Sequence, residues 1–169
     1  MGVPGSPCNN ECEAPVKIFL SYGGLADQVT ALRLQALAAV NGLQAFVPPA
    51  YTRQAADAVL PHAIKASIQD SDVVLGMIGS GLSEACRQEL TAALALKKAT
   101  IVMADPAFAS PLQPHFGNQL VVIDPANPSA AEQAIVQHLK LIDVQDNEKK
   151  ALLALGTIAL GLLIFAPQD

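Results

Sequence analysis

The chain has 169 residues, of which 51% are hydrophobic and 15% charged, and it carries a formal net charge of −5. That length suits one domain with an ordinary core plus a small appendage, and the apolar content excludes a chain disordered throughout. The acidic balance and the lack of a basic stripe exclude a phosphate-tracking surface, so nucleic acid is not an expected partner. Three cysteines, Cys8, Cys12 and Cys86, make no disulfide framework and fit a reducing compartment.

Residues 1–15, MGVPGSPCNNECEAP, lack the apolar core of a secretory signal and read as a disordered leader. They also match the Met-Gly-x-x-x-Ser acylation pattern, which is short enough to arise by chance. An α/β domain is expected over 16–142. Residues 17–21 predict a strand, and 27–41 a helix stopped by Gly42. Residues 43–47 predict the next strand, followed by a Pro-Pro loop to about 54 and a helix over 56–69 in which Pro61 is either tolerated early or a kink. The run 72–78 is a buried strand, and Ser83 can cap a helix through Lys97 with Glu84 in its first turn. Two more strands, 100–103 and 120–123, flank a Pro- and Ser-rich segment, 104–118, that reads as a loop. Ser129 to Glu132 forms a capping box opening a helix to about Leu141. In its last turn His138 is expected as a favourable partner of the helix dipole. His62, His115 and His138 are too widely spaced for a zinc site.

Apolar strands without polar alternation, each followed by a helix, imply a parallel sheet covered on both faces. The expected fold is α/β: a small doubly wound, flavodoxin-like parallel sheet of about five strands with helices on both faces, plus a C-terminal hydrophobic helix. Ligands of such sheets sit beyond the carboxyl ends of the strands, which points to the loops at 21–27, 48–54, 79–83 and 104–118. No phosphate-binding Gly-x-x-x-x-Gly-Lys-Ser/Thr loop and no Gly-x-Gly-x-x-Gly follows the first strand. Ser21-Tyr22 and Gly79-Ser80 stand where a phosphate-accepting receiver needs acids. Behind the third loop, Glu89 falls at the edge of the helix face made by Cys86, Leu90, Ala93 and Leu94. It is either an ordinary boundary charge or an acid held over a pocket.

The segments KIFLSYGGLAD, GLQAFVPP and AIKASIQDSDVVLGMIGSGLSEACRQELTAALALKKATIVMAD, taken in order, resemble a TIR (Toll/interleukin-1 receptor) domain of the bacterial type over about 16–123. Phe19, Ser21, Tyr22 and Asp27 match the end of that family's first strand. Ile68, Ser71, Asp72, Ser83, Cys86, Glu89 and Leu90 match its later block. The chain departs from the pattern in three places. Asp27 comes one residue late, Ala85 replaces a tryptophan, and the loop after the second strand reads PPAYTRQAAD, a difference that falls on assembly and substrate.

The resemblance implies an enzyme that cleaves the nicotinamide-ribose bond, with NAD as substrate and no cofactor. Glu89 would be its catalytic acid, Ser21, Tyr22, Asp27, Ser83 and Cys86 would line the nucleotide site, and the domain would work as a self-associated immune or cell-death effector. Cys86 reads better as a small buried hydrophobe than as a nucleophile, because no histidine is placed to activate it. Two alternatives stand beside the enzyme. One is a TIR-like adaptor that only self-associates; the other resembles nucleoside 2-deoxyribosyltransferases, which also use a glutamate on an N-glycosidic bond.

Beyond a linker at 143–150, residues 151–166 are apolar all round and follow Lys149-Lys150. As a helix they span about 24 Å, a little short of a bilayer core. They read as a membrane anchor with the domain on the cytoplasmic side, the alternative being a buried helix or an oligomer seam.

Overall fold

A computed structural model describes residues 15–50 and 59–143, with side chains through Lys140. The leader to residue 14, residues 51–58, on which the end of the expected Pro-Pro loop and the start of the helix expected over 56–69 fall, most of the linker, and the apolar segment 151–166 lie outside the described residues. In chain order the elements are β1 (Lys17–Tyr22), α1 (Leu25–Val40), β2 (Gln44–Phe46), α2 (His62–Asp70), β3 (Val73–Ile78), α3 (Glu84–Ala95), β4 (Ala99–Ala104), α4 (Pro106–Phe116), β5 (Leu120–Val122) and α5 (Pro128–Asp143). A short 3-10 turn, Gly117–Gln119, joins α4 to β5.

All strand pairs are parallel, and the sheet order is β2-β1-β3-β4-β5, the flavodoxin-like arrangement. Every residue of β3 is buried, and β1 and β4 each show only a partly exposed first residue, as a strand sandwiched between helix layers requires. Side-chain alternation sorts the core into two layers. Leu20, Tyr22, Leu75, Met77, Ile101 and Met103 pack with Ala31, Leu34 and Ala38 of α1 and with Ala131, Ile135 and Leu139 of α5. Phe19, Val74, Ile78 and Val102 pack on the other face with Ile64 and Ile68 of α2, Cys86, Leu90 and Ala93 of α3, and Leu112 and Phe116 of α4. Fully burying each such aliphatic side chain stabilises the fold by about 1.5–3 kcal/mol. Gly76 lets α3 approach β3 closely: a Cβ there would stand 3.0 Å from Leu90 Cδ2.

Four local expectations are corrected. The segment 104–118 is not a loop but holds α4, capped by Asp105, whose Oδ1 accepts from Ala107 N at 2.9 Å. Pro106 occupies the first turn, where a missing N–H costs nothing. Pro111 and Pro114 lie inside the helix, which is held by burial of Leu112 and Phe116. Helix α2 starts at His62 with Pro61 as its cap residue, so Pro61 precedes the helix and kinks nothing. Helix α5 starts at Pro128, which leaves Ser129 inside the first turn, and the Glu132 carboxylate pairs with Arg33 of α1. His138 is buried, not a solvated dipole partner. Its Nε2 has no hydrogen-bond partner among the described residues, and burial pushes the imidazole pKa below its ordinary 6.5. No helix among the described residues is long and apolar enough to cross a membrane.

Candidate functional site

The carboxyl edge of β1 and the start of α3 bring the sequence-matched residues together. Ser21 lies on the same face of β1 as Phe19, which is the face covered by α3. Helix α3 opens at Ser83, whose Oγ accepts from Cys86 N at 3.2 Å. Its buried face is Cys86, Glu89, Leu90 and Ala93, whereas Leu94 is 42% exposed. The helix is thus rotated toward Glu89 relative to the face read from sequence, and Glu89 is 1% exposed. It is not a boundary charge.

The Ser21 hydroxyl donates to Glu89 Oε2 at 2.5 Å, and Ser21 Oγ also lies 3.2 Å from Cys86 Sγ. A hydroxyl has one proton, and a carboxylate is the stronger acceptor, so the proton faces Glu89. Cys86 is buried and forms no disulfide among the described residues. Tyr22 points to the opposite face of the sheet, where its hydroxyl donates to the Pro48 carbonyl at 2.9 Å and ties β1 to the loop after β2.

Asp27 performs a different task. Its Oδ2 accepts from Gly24 N at 3.1 Å, Ser80 N at 3.2 Å and Ser80 Oγ at 2.9 Å, and its Oδ1 accepts from Gly79 N at 3.2 Å. One carboxylate therefore clasps the loop after β1 to the loop after β3. The backbone adds a second clasp, with Ser83 N donating to Gly23 O at 3.0 Å and Gly23 N to Met77 O at 2.7 Å. The approach is too close for a side chain, since a Cβ on Gly23 would stand 1.8 Å from Gly81 O. These contacts fix where α3 begins, and hence where Glu89 stands above β1.

The sequence-matched residues thus fall into three neighbouring groups at one edge of the sheet. Ser21, Cys86 and Glu89 meet under α3, Asp27 and Ser83 lock the two loops, and Tyr22 braces the far side. The role of Asp27 as a strut, with Gly79 and Ser80 as its partners, had no signal in the sequence beyond its place after the first strand.

On the exposed side of α3, Arg87 donates to Glu84 through Nε at 2.8 Å and Nη2 at 2.5 Å. Hydrogen bonding from Arg87, and then from Gln88, holds the Glu84 pKa below the usual carboxylate value. A cavity of about 370 Å³ opens between α3 and α4, lined by Ile78, Leu82, Leu90, Phe108 and Phe116 with Arg87 and His115 at its rim. Glu89 is not part of that lining, so this space is not the site that the matched residues build. Among the described residues no group of three His, Cys, Asp or Glu side chains is placed to hold a metal ion.

No protein-family model matches the chain, and no curated protein matches it. Among solved structures it is similar to the TIR domains of the activated Roq1 resistosome directly recognizing the pathogen effector XopQ. The identity is 17% and the TM-score 0.43, over 86% of this chain and 83% of that one.

Proposed function

We propose that the chain is a TIR-like NAD glycohydrolase that works when clustered. The observation that carries this reading is the buried pair of Glu89 on α3 and Ser21 at the carboxyl end of β1, joined at 2.5 Å. Both belong to the matched motif, and they lie at the edge of the sheet where ligands of this architecture bind. In the reaction the bond between the nicotinamide nitrogen and ribose C1 breaks, its electron pair leaving with nicotinamide. Water then bonds to C1 and gives up a proton. A carboxylate beside the ribose stabilises the positive charge that develops on the ring, and a water-poor site strengthens the effect. Ser21 orients that carboxylate.

Glu89 is 1% exposed, so nucleotide binding has to uncover it. The same burial favours a second reading, in which the Glu89–Ser21 bond only ties α3 to the sheet of a non-enzymatic self-associating module. Nicotinamide release by concentrated full-length protein and by Glu89→Gln separates the two. Release by the wild type and its loss in the variant supports the enzyme. No release by concentrated wild type leaves the module, and equal release from both moves the catalytic acid elsewhere.

A further inference from the structure

Helix α1 buries Asp27, Ala31, Leu34 and Ala38 against the sheet. Its opposite side is also apolar. Leu25, Val29, Leu32 and Val40 are 65%, 64%, 50% and 86% exposed, and with the exposed Ala36 they follow one another at intervals of four, three, four and four residues. That spacing is one continuous stripe along the full length of the helix, and it contains no charge. The stripe presents on the order of 400 Å² of side-chain surface, in the range where a monomer's largest patch is often functional. It is also about half of the ~800 Å² per partner that a stable dimer buries. An occupant that needs no bimolecular affinity therefore fits it best.

We infer that the occupant is the chain's own segment 151–166. It has sixteen residues, the length of α1, so as a helix it would match the stripe over about 24 Å. It carries no charged side chain, as the stripe carries none. The path is short. Helix α1 runs from the carboxyl end of β1 to the amino end of β2, and α5 leaves the carboxyl end of β5 and lies beside α1 through the Arg33–Glu132 pair. Both helices thus end at the amino edge of the sheet. The seven residues 144–150 that follow are of ordinary length for an antiparallel helix connection. A linker this short supplies an effective concentration in the millimolar range, which offsets the small area. The segment would run back along α1 with residue 151 near Val40 and residue 166 near Leu25.

The test uses the full chain with Cys8→Ser and Cys12→Ser, and two cysteine pairs introduced separately: Val29→Cys with Leu162→Cys, and Val29→Cys with Leu152→Cys. Val29 is exposed, so its replacement leaves the core intact. Ten residues of helix separate the two tail positions by about 15 Å, far beyond disulfide reach. Under mild oxidation the first pair is expected to close within one chain and the second to stay reduced. Disulfide-linked dimers would instead make a second copy the occupant. Preference for the second pair would reverse the direction of the segment and overturn the antiparallel seat. No disulfide in either pair, with the chain in solution or in lipid vesicles, would overturn docking altogether and return the segment to the bilayer.

Discussion

Replacing Asp27 tests whether the edge of the sheet is held as the geometry says. Its side chain accepts four hydrogen bonds, from Gly24 N, Gly79 N, Ser80 N and Ser80 Oγ, and the residue is 7% exposed. Asp27→Ala removes the acceptor and leaves three backbone N–H groups in a largely buried place. Bonds to a charged acceptor are worth about 1.5–3 kcal/mol each, and they are not additive within one cluster. A loss of about 3–5 kcal/mol follows, which for a domain of this size lowers Tm by roughly 10–15 °C. Asp27→Asn separates charge from shape. The amide can keep its oxygen toward Gly24 and Ser80, but its NH2 then faces the N–H of Gly79, so one bond is lost and the other three lose their charge assistance. The expected cost is about 1.5–3 kcal/mol, or roughly 5–9 °C. Thermal unfolding followed by circular dichroism on full-length protein reads both values. If Asp27→Ala and Asp27→Asn both melt within about 2 °C of the wild type, water already satisfies these donors and the clasp is not what holds the two loops.

Gly23→Ala places a Cβ 1.8 Å from the Gly81 carbonyl oxygen. The loops must part to accept it, so a loss of about 3 kcal/mol or more in urea unfolding is expected, and an unchanged midpoint would contradict the close approach. His138 gives a pH signature. Because burial holds its folded pKa below 6.5, the unfolded chain binds more protons between that pKa and 6.5. The contribution is complete above about pH 6.5 and is lost as pH falls through that window. Urea midpoints compared at about pH 7.5 and 5.5 should drop less in His138→Leu than in the wild type, and equal drops would place the sensitivity elsewhere.

The uninterrupted apolar runs of β1, β3 and β4 make a parallel, doubly covered sheet readable in the sequence, because burial on both faces removes polar alternation. Helix α4 was not readable. Asp105 and Pro106 fit a helix start, but Pro111 and Pro114 signal a loop, and the helix exists because Leu112 and Phe116 have a core to enter, which no local rule contains. Asp27 was legible as a polar residue at a ligand edge but not as a strut, since its partners Gly79 and Ser80 come 52 and 53 residues later. The exposed stripe on α1 was hidden for a related reason: leucines at 32, 34 and 37 count alike in a periodicity, although Leu34 is buried and Leu32 is half exposed.

The direction of Glu89 is the point at which sequence and tertiary structure part. On a lone helix it sits on the margin between core and water, and a rotation of a few tens of degrees decides its environment. Two contacts outside α3 set that rotation. At its start, Ser83 N is bound to Gly23 O, and Asp27 fixes the neighbouring Gly79 and Ser80; one and a half turns later, Ser21 receives the carboxylate. Right-handed crossovers in the order β2-β1-β3-β4-β5 put α3 over the face of β1 that carries Phe19 and Ser21. A hydroxyl at position 21 then gives the buried acid a donor, which an aliphatic side chain there would not supply. The serine at the end of β1 on that face thus joins the buried acid to the sheet, so Ser21 and Glu89 form one unit, whether that unit serves catalysis or only the docking of α3 on the sheet.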